Sequence, residues 1–158
     1  MKTGNNKDYY ESIEQKILTF LFKTDKCLTK WFDPIDLYIE YEDKTVIGEF
    51  KSRKFKHDQY EWILEAAKLN KIFNKVTPTQ TNIKYLYINY FEKDNTILIW
   101  DLKDYFLKYN PEPIKKVMNL TTAYNFKGAG KKVEKEVYLL NHEYANFKII
   151  YKQDESEK

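Results

Sequence analysis

Apolar residues recur at helical spacing from Asp8 to Lys23, at Tyr10, Ile13, Ile17, Phe20 and Leu21, and predict an opening helix. Asp8 and Glu11 fit a capping box at its start, with Asp in the place usually taken by Ser or Thr. The pattern breaks over Thr24 to Pro34, with room for a short strand near Leu28 to Phe32. Ile35 to Tyr41 then alternates, placing Leu37, Ile39 and Tyr41 on one face and Asp36, Tyr38 and Glu40 on the other. Thr45 to Lys51 reads as the next strand, and only Glu42, Asp43 and Lys44 lie between, so an antiparallel hairpin is predicted. A second helix is predicted over Gln59 to Asn74, with a capping box of Asp58 and Glu61 and an apolar stripe of Trp62, Ile63, Ala66, Leu69 and Phe73.

Further along, Pro78 and its polar neighbours mark a loop. Strands follow at Ile83 to Tyr90 and Thr96 to Trp100, joined by a turn over Glu92 to Asn95. Asp101 to Tyr109 reads as a short helix halted by Pro111. The chain is less regular up to Lys132, and Val133 to Leu140 and Asn146 to Tyr151 are late strands. The expectation is one α/β domain over residues 1–158, with a central mixed sheet flanked by helices. Its core spans about residues 8–100, followed by an extension over 101–152 and a frayed charged tail over 153–158. No repeat and no second domain is visible.

Composition narrows the chemistry. At 158 residues, with 42% hydrophobic and 32% charged positions, the chain can bury a core without disulfides. Cys27 is the single cysteine, and the histidines are His57 and His142, so Cys-rich and His-rich metal sites are excluded. Any metal would be held mainly by carboxylates, which points to Mg²⁺ or Mn²⁺. The polar start lacks a signal-peptide core and no apolar run could span a membrane, so a cytoplasmic protein is expected. The net charge of +3 is modest, and the basic set is lysine with the exception of Arg53. That bias fits an AT-rich coding sequence of the kind found in low-GC bacteria and their phages.

The hairpin carries the chemistry. Glu49 and Lys51, two apart on a strand, share a face at a spacing of about 6–7 Å. Asp36 joins them if the loop has two or four residues, because numbers across the ladder then sum to 85 and Asp36 lies opposite Glu49. A three-residue loop would put Leu37 or Tyr38 there instead. Two carboxylates this close repel, and a divalent cation between them or an ammonium beside them relieves the cost. A metal so placed polarises a phosphoryl oxygen and lowers the pKa of a bound water, while a lysine orients that water or stabilises the developing charge.

This Asp, Glu-x-Lys hairpin between helices resembles the PD-(D/E)xK nuclease superfamily, over roughly Asp8 to Trp100. The resemblance implies an αβββαβ core of the restriction-endonuclease type and metal-dependent hydrolysis of DNA phosphodiesters. It implies Asp36 and Glu49 as metal ligands, the Phe50 carbonyl as a backbone ligand, and Lys51 as the catalytic lysine. An acidic residue of the first helix often assists in that superfamily; Glu11 is taken up by the capping box, which leaves Glu14. Ser52 and Arg53 resemble the polar extension beyond the lysine, and Gln59 and Tyr60 would open the second helix, where accessory residues often lie. Ile35 separates Pro34 from Asp36, a departure from the common pattern that makes Asp33 a competitor. A homodimer is left open, as many such nucleases pair to cut two strands.

The run Lys51-Ser52-Arg53-Lys54-Phe55-Lys56 ranks first for DNA contact, since Arg53, Lys54 and Lys56 can meet phosphates and Phe55 can stack. Lys127-Gly128-Ala129-Gly130-Lys131 lacks the residues of a phosphate-binding loop and reads as a basic loop. Glu65 and Lys68 are expected to pair on the exposed side of the second helix, with a place flanking the cleft as the alternative because that helix should pack near the hairpin, and His57 to lie on the surface. The alternatives to a nuclease are a catalytically inactive nuclease-fold binding module and a phage structural or host-takeover protein.

Overall fold

The computed structural model describes residues 3–23, 37–74, 82–119 and 132–152. The chain opens with α1 (Thr3–Phe22), followed by β1 (Leu37–Glu40), β2 (Thr45–Arg53) and β3 (Trp62–Glu65). Next come α2 (Ala66–Phe73), β4 (Ile83–Phe91), β5 (Thr96–Asp101) and α3 (Leu102–Tyr109). The last elements are β6 (Ile114–Asn119), β7 (Lys132–Leu140), a 3₁₀ turn (His142–Tyr144) and β8 (Phe147–Ile150). The larger sheet is mixed and five-stranded, in the order β1-β2-β4-β5-β8, and a second sheet has the order β3-β7-β6. The fold is a single α/β domain.

Strand β2 lies inside the larger sheet, between β1 and β4. Six successive residues from Thr45 to Phe50 are buried, the pattern of a strand covered on both sides. β2 runs parallel to β4, from Thr45 beside Ile83 to Arg53 beside Phe91, and antiparallel to β1. On one face Val46, Phe50, Ile88, Tyr90, Ile97 and Ile99 pack with Ile17 and Leu18 of α1. On the other, Ile47, Tyr87, Phe91, Leu98 and Trp100 pack with Leu69 and Ile72 of α2, Trp62 and Leu64 of β3 and Tyr105 of α3. Gly48 is required where β2 passes β4, since a Cβ there would lie 2.5 Å from the Leu86 carbonyl oxygen.

The β1–β2 hairpin has the register whose paired numbers sum to 85: Leu37 faces Gly48 and Glu40 faces Thr45, and Tyr41 N–H donates to Lys44 O at 2.8 Å. Leu37 and Ile39 are buried while Glu40 is exposed, as the alternation predicts. The turn over Glu92 to Asn95 and the α3 helix stand where expected, and Asp101 caps α3 by accepting from Asp104 N–H at 3.1 Å.

Three expectations are corrected. Residues 59–74 do not form one helix, because Trp62–Glu65 is a strand paired with Val137–Leu140, and only Ala66–Phe73 is helical. Alternate burial of Trp62 and Leu64 satisfies the core with a period of two, and helix α2 starts only at Ala66, where the pairing with β7 ends. The Asp58/Glu61 box is therefore absent, and Gln59 and Tyr60 lie in the β2–β3 turn. Helix α1 begins at Thr3, which puts Asp8 inside it and not at its cap. After Trp100 the two late strands stand as expected, β7 paired with β3 and β8 with β5, but β6 forms a strand where none was expected. The expected strand over 28–32, Cys27, Asp33, and the loop over 127–131 lie outside the described residues.

Candidate functional site

Parity along β2 assigns Glu49, Lys51 and Arg53 to the face of Ile47, which looks toward α2 and the second sheet. Glu49 is 2% exposed, and its Oε1 lies 3.1 Å from Nζ of Lys68 on α2. Its other oxygen, Oε2, is buried as well. A carboxylate taken so far from water needs a cation nearby, and Lys68, about one-third exposed, bridges that buried charge to the surface. Lys51, two residues on, is exposed.

The condition on Asp36 was a ladder summing to 85, and that ladder is present over Leu37–Glu40. Asp36 itself, one residue earlier, lies outside the described residues. The Phe50 side chain packs in the α1-side core, so only its backbone could serve the Glu49 region. Glu14 is half-buried on α1, the helix that packs on the opposite face of the sheet from Glu49. The donors near Glu49 are hard oxygens, carboxylate and carbonyl, and that chemistry suits Mg²⁺ or Mn²⁺.

Arg53, expected as a phosphate contact, is engaged within the fold. Its Nε donates to Asn89 Oδ1, and its Nη2 donates to Ile63 O and Tyr87 Oη at 3.0 Å each. Tyr87 in turn donates to Ile63 O at 2.8 Å, and the guanidinium lies 5.1 Å from the Trp62 ring centre. The fork of Arg53 thus ties β2, β4 and β3 together. Burial pushes the Tyr87 hydroxyl above its ordinary range; Arg53 opposes that shift and Glu49 adds to it. Asn89 is fully buried, and its Nδ2 finds no acceptor among the described residues.

Lys54, Lys56, Gln59 and Tyr60 are all exposed in the β2–β3 turn. The turn is fastened by His57, whose backbone N–H and Nδ1 reach Asp94 Oδ2 at 3.1 and 2.6 Å. His57 is only 15% exposed, so it is an anchor and not the surface residue expected. His57, Asp58 and Asp94 lie close enough to suggest a cation site, with ligand atoms within 4.8 Å of one another. The short His57–Asp94 contact is a hydrogen bond, however, and an ionised Asp94 makes Nδ1 its donor. Burial pushes the Asp94 carboxyl up, but hydrogen bonds from His57 and Thr96 outweigh it and leave the pKa below its ordinary value.

The expected Glu65–Lys68 pair is replaced by two long-range pairs: Glu65 with Lys135 at 3.0 Å and Lys68 with Glu49. Shortening the helix to Ala66 leaves Glu65 on β3 beside β7, while Lys68 lies on the turn of α2 above β2. Tyr87, Asn89 and Asp94 are site residues that the sequence reading does not single out. The available signal is weak: Asn89 is a polar residue interrupting the apolar run from Tyr85 to Phe91. Comparison with protein-family models, curated proteins and solved structures finds no match to this chain.

Proposed function

We propose that the protein is a metal-dependent nuclease of the PD-(D/E)xK type, hydrolysing DNA phosphodiester bonds. The observation that carries the reading is Glu49, buried on β2 with an ammonium at 3.1 Å and followed by exposed Lys51 on the same face. Asp36, Glu49 and the Phe50 carbonyl would hold Mg²⁺ or Mn²⁺. The ion would supply Lewis-acid polarisation of a phosphoryl oxygen and a bound water of lowered pKa. Lys51 would sit beside the attacked phosphate and stabilise its developing charge, and Lys68 would keep Glu49 ionised.

The test is incubation with plasmid, linear, branched and single-stranded DNA in Mg²⁺ or Mn²⁺. Cleavage should occur and should fall by at least about 100-fold in Lys51→Ala, the scale of losing one charge-stabilising group. Failure to cut any of the four substrates with either ion overturns the enzyme reading.

A second reading, an inactive nuclease-fold binding module, is favoured by one observation: Lys68 already compensates the Glu49 charge. That reading expects DNA binding which weakens with salt but is indifferent to divalent ions.

A further inference from the structure

We infer that Phe55 and Tyr60 form a stacking platform for unpaired bases, which makes single-stranded DNA the ligand class of this face. Large aromatic side chains are usually buried, yet Phe55 is 40% exposed and Tyr60 is 53% exposed. The two rings meet edge to face at 5.2 Å. Both rest on Trp62, which is 3% exposed, at 6.2 and 5.9 Å. Trp62 in turn packs on Phe91 of the central sheet at 4.6 Å.

The turn that presents them is held at several points. Trp62 Nε1 donates to His57 O at 2.7 Å, His57 is fastened to Asp94, and Gln59 N–H donates to Lys56 O at 3.2 Å. Arg53 O accepts from Glu92 N–H at 2.9 Å at the start of the turn. The exposed rings are therefore set in place by folding, and binding them need not pay for ordering a loop.

Charge selects the partner. Lys54 and Lys56 flank Phe55 while Asp58 and Glu61 lie beside Tyr60, all exposed, so the positive charge is on the Phe55 side of the pair. Aromatic faces beside a basic track bind single strands, because unpaired bases offer π-faces and the backbone offers phosphates. A duplex keeps those base faces stacked inside. Phe55 is four residues from Lys51, at most about 14 Å along the chain, so a strand on the platform would pass the Glu49–Lys51 face within a few nucleotides. That last consequence rests on the nuclease reading; the binding does not.

The experiment is fluorescence anisotropy in EDTA, with the full chain, labelled dT20, and a 20-base-pair duplex as competitor. The protein should bind dT20, and the duplex should compete at least tenfold less well. Phe55→Ala and Tyr60→Ala should each weaken dT20 binding by about tenfold, while Tyr60→Phe, which keeps the ring, should bind like the parent. Lys54→Ala/Lys56→Ala should lower the slope of log affinity against log salt by about 1.4. Circular dichroism of each variant checks that it is folded. Equal binding of dT20 by parent and folded ring variants, or equal competition by duplex, overturns the proposal. So does the absence of dT20 binding, which would leave the aromatic pair as a protein contact. Binding in EDTA without any cleavage in Mg²⁺ or Mn²⁺ would overturn the nuclease reading and leave the platform standing.

Discussion

Glu49 and Arg53 occupy the same face of the same strand, four residues apart, and differ in how their charges are met. Arg53 is enclosed by partners fixed by the fold: a buried asparagine, a strand carbonyl, a tyrosine hydroxyl and an indole face. Glu49 is more deeply buried, and its cationic partner is a flexible side chain that reaches it from a helix edge partly open to water. Tyr87 sits in the fields of both, pulled down by one and pushed up by the other. A charge surrounded by rigid, matched acceptors is a fastening. A buried charge balanced by a lysine that can swing to solvent is an element that another cation could engage.

The largest expected effect on stability lies at the fastening. Arg53→Ala removes three hydrogen bonds and leaves Asn89 Oδ1 and Tyr87 Oη short of a donor inside the core, a loss of about 3 kcal/mol. Arg53→Lys should recover only a minor part of it, because an ammonium cannot present the planar fork that spans three acceptors. Urea denaturation of the two variants measures the difference. A loss below about 1 kcal/mol in Arg53→Ala would mean that Arg53 is a surface group after all, and the contrast with Glu49 would collapse.

That contrast was only half legible in the chain. Period-two alternation put Glu49 and Lys51 on one face, and the hairpin adopts one of the registers the sequence permits, with Tyr41 against Lys44 and a two-residue loop of Glu42 and Asp43. These are local signals, carried by neighbours in sequence. The partners of Arg53 are not: Asn89 and Tyr87 lie on β4, and Ile63 belongs to a strand that exists only because Val137–Leu140 pairs with it. Without that pairing, Trp62, Ala66 and Leu69 fall at helical spacing and the strand is hidden inside an apparent helix. The same error put Lys68 beside Glu65 in place of Glu49. β6 was missed for a different reason: it is an edge strand with Ile114 to Val117 all exposed, so no burial pattern marks it.

A smaller effect comes from the clasp that holds the β2–β3 turn. The Asp94 carboxyl is held below its ordinary value in the folded chain. Its contribution is therefore complete above the ordinary carboxylate value of 3.8 and is lost as pH falls through the lower folded value. Asp94→Asn should cost no more than about 1 kcal/mol at neutral pH, since the pair is partly exposed to water. It should also flatten part of the acid limb of the stability curve below about pH 4. Thermal melts of parent and variant between pH 2 and 7 test this. Parallel acid limbs would show that the clasp contributes nothing to holding the turn.

The smallest effect on stability is expected at Glu49. Glu49→Gln removes a buried charge and keeps the shape, while Lys68, already about one-third exposed, can turn to solvent. Removing one partner of a buried pair is costly when the other charge is left buried, and Lys68 can reach water, so a change within about 1 kcal/mol is expected. On the nuclease reading, cleavage should nonetheless be lost, because an amide is a poor ligand for a hard divalent cation. The pairing of the two measurements is what distinguishes the positions: Arg53 variants should lose stability, and Glu49→Gln should stay folded and lose cleavage. A Glu49→Gln variant as destabilised as Arg53→Ala would make Glu49 a second fastening. The same strand face would then be two structural charges flanking an exposed lysine, with no reason left to assign it chemistry.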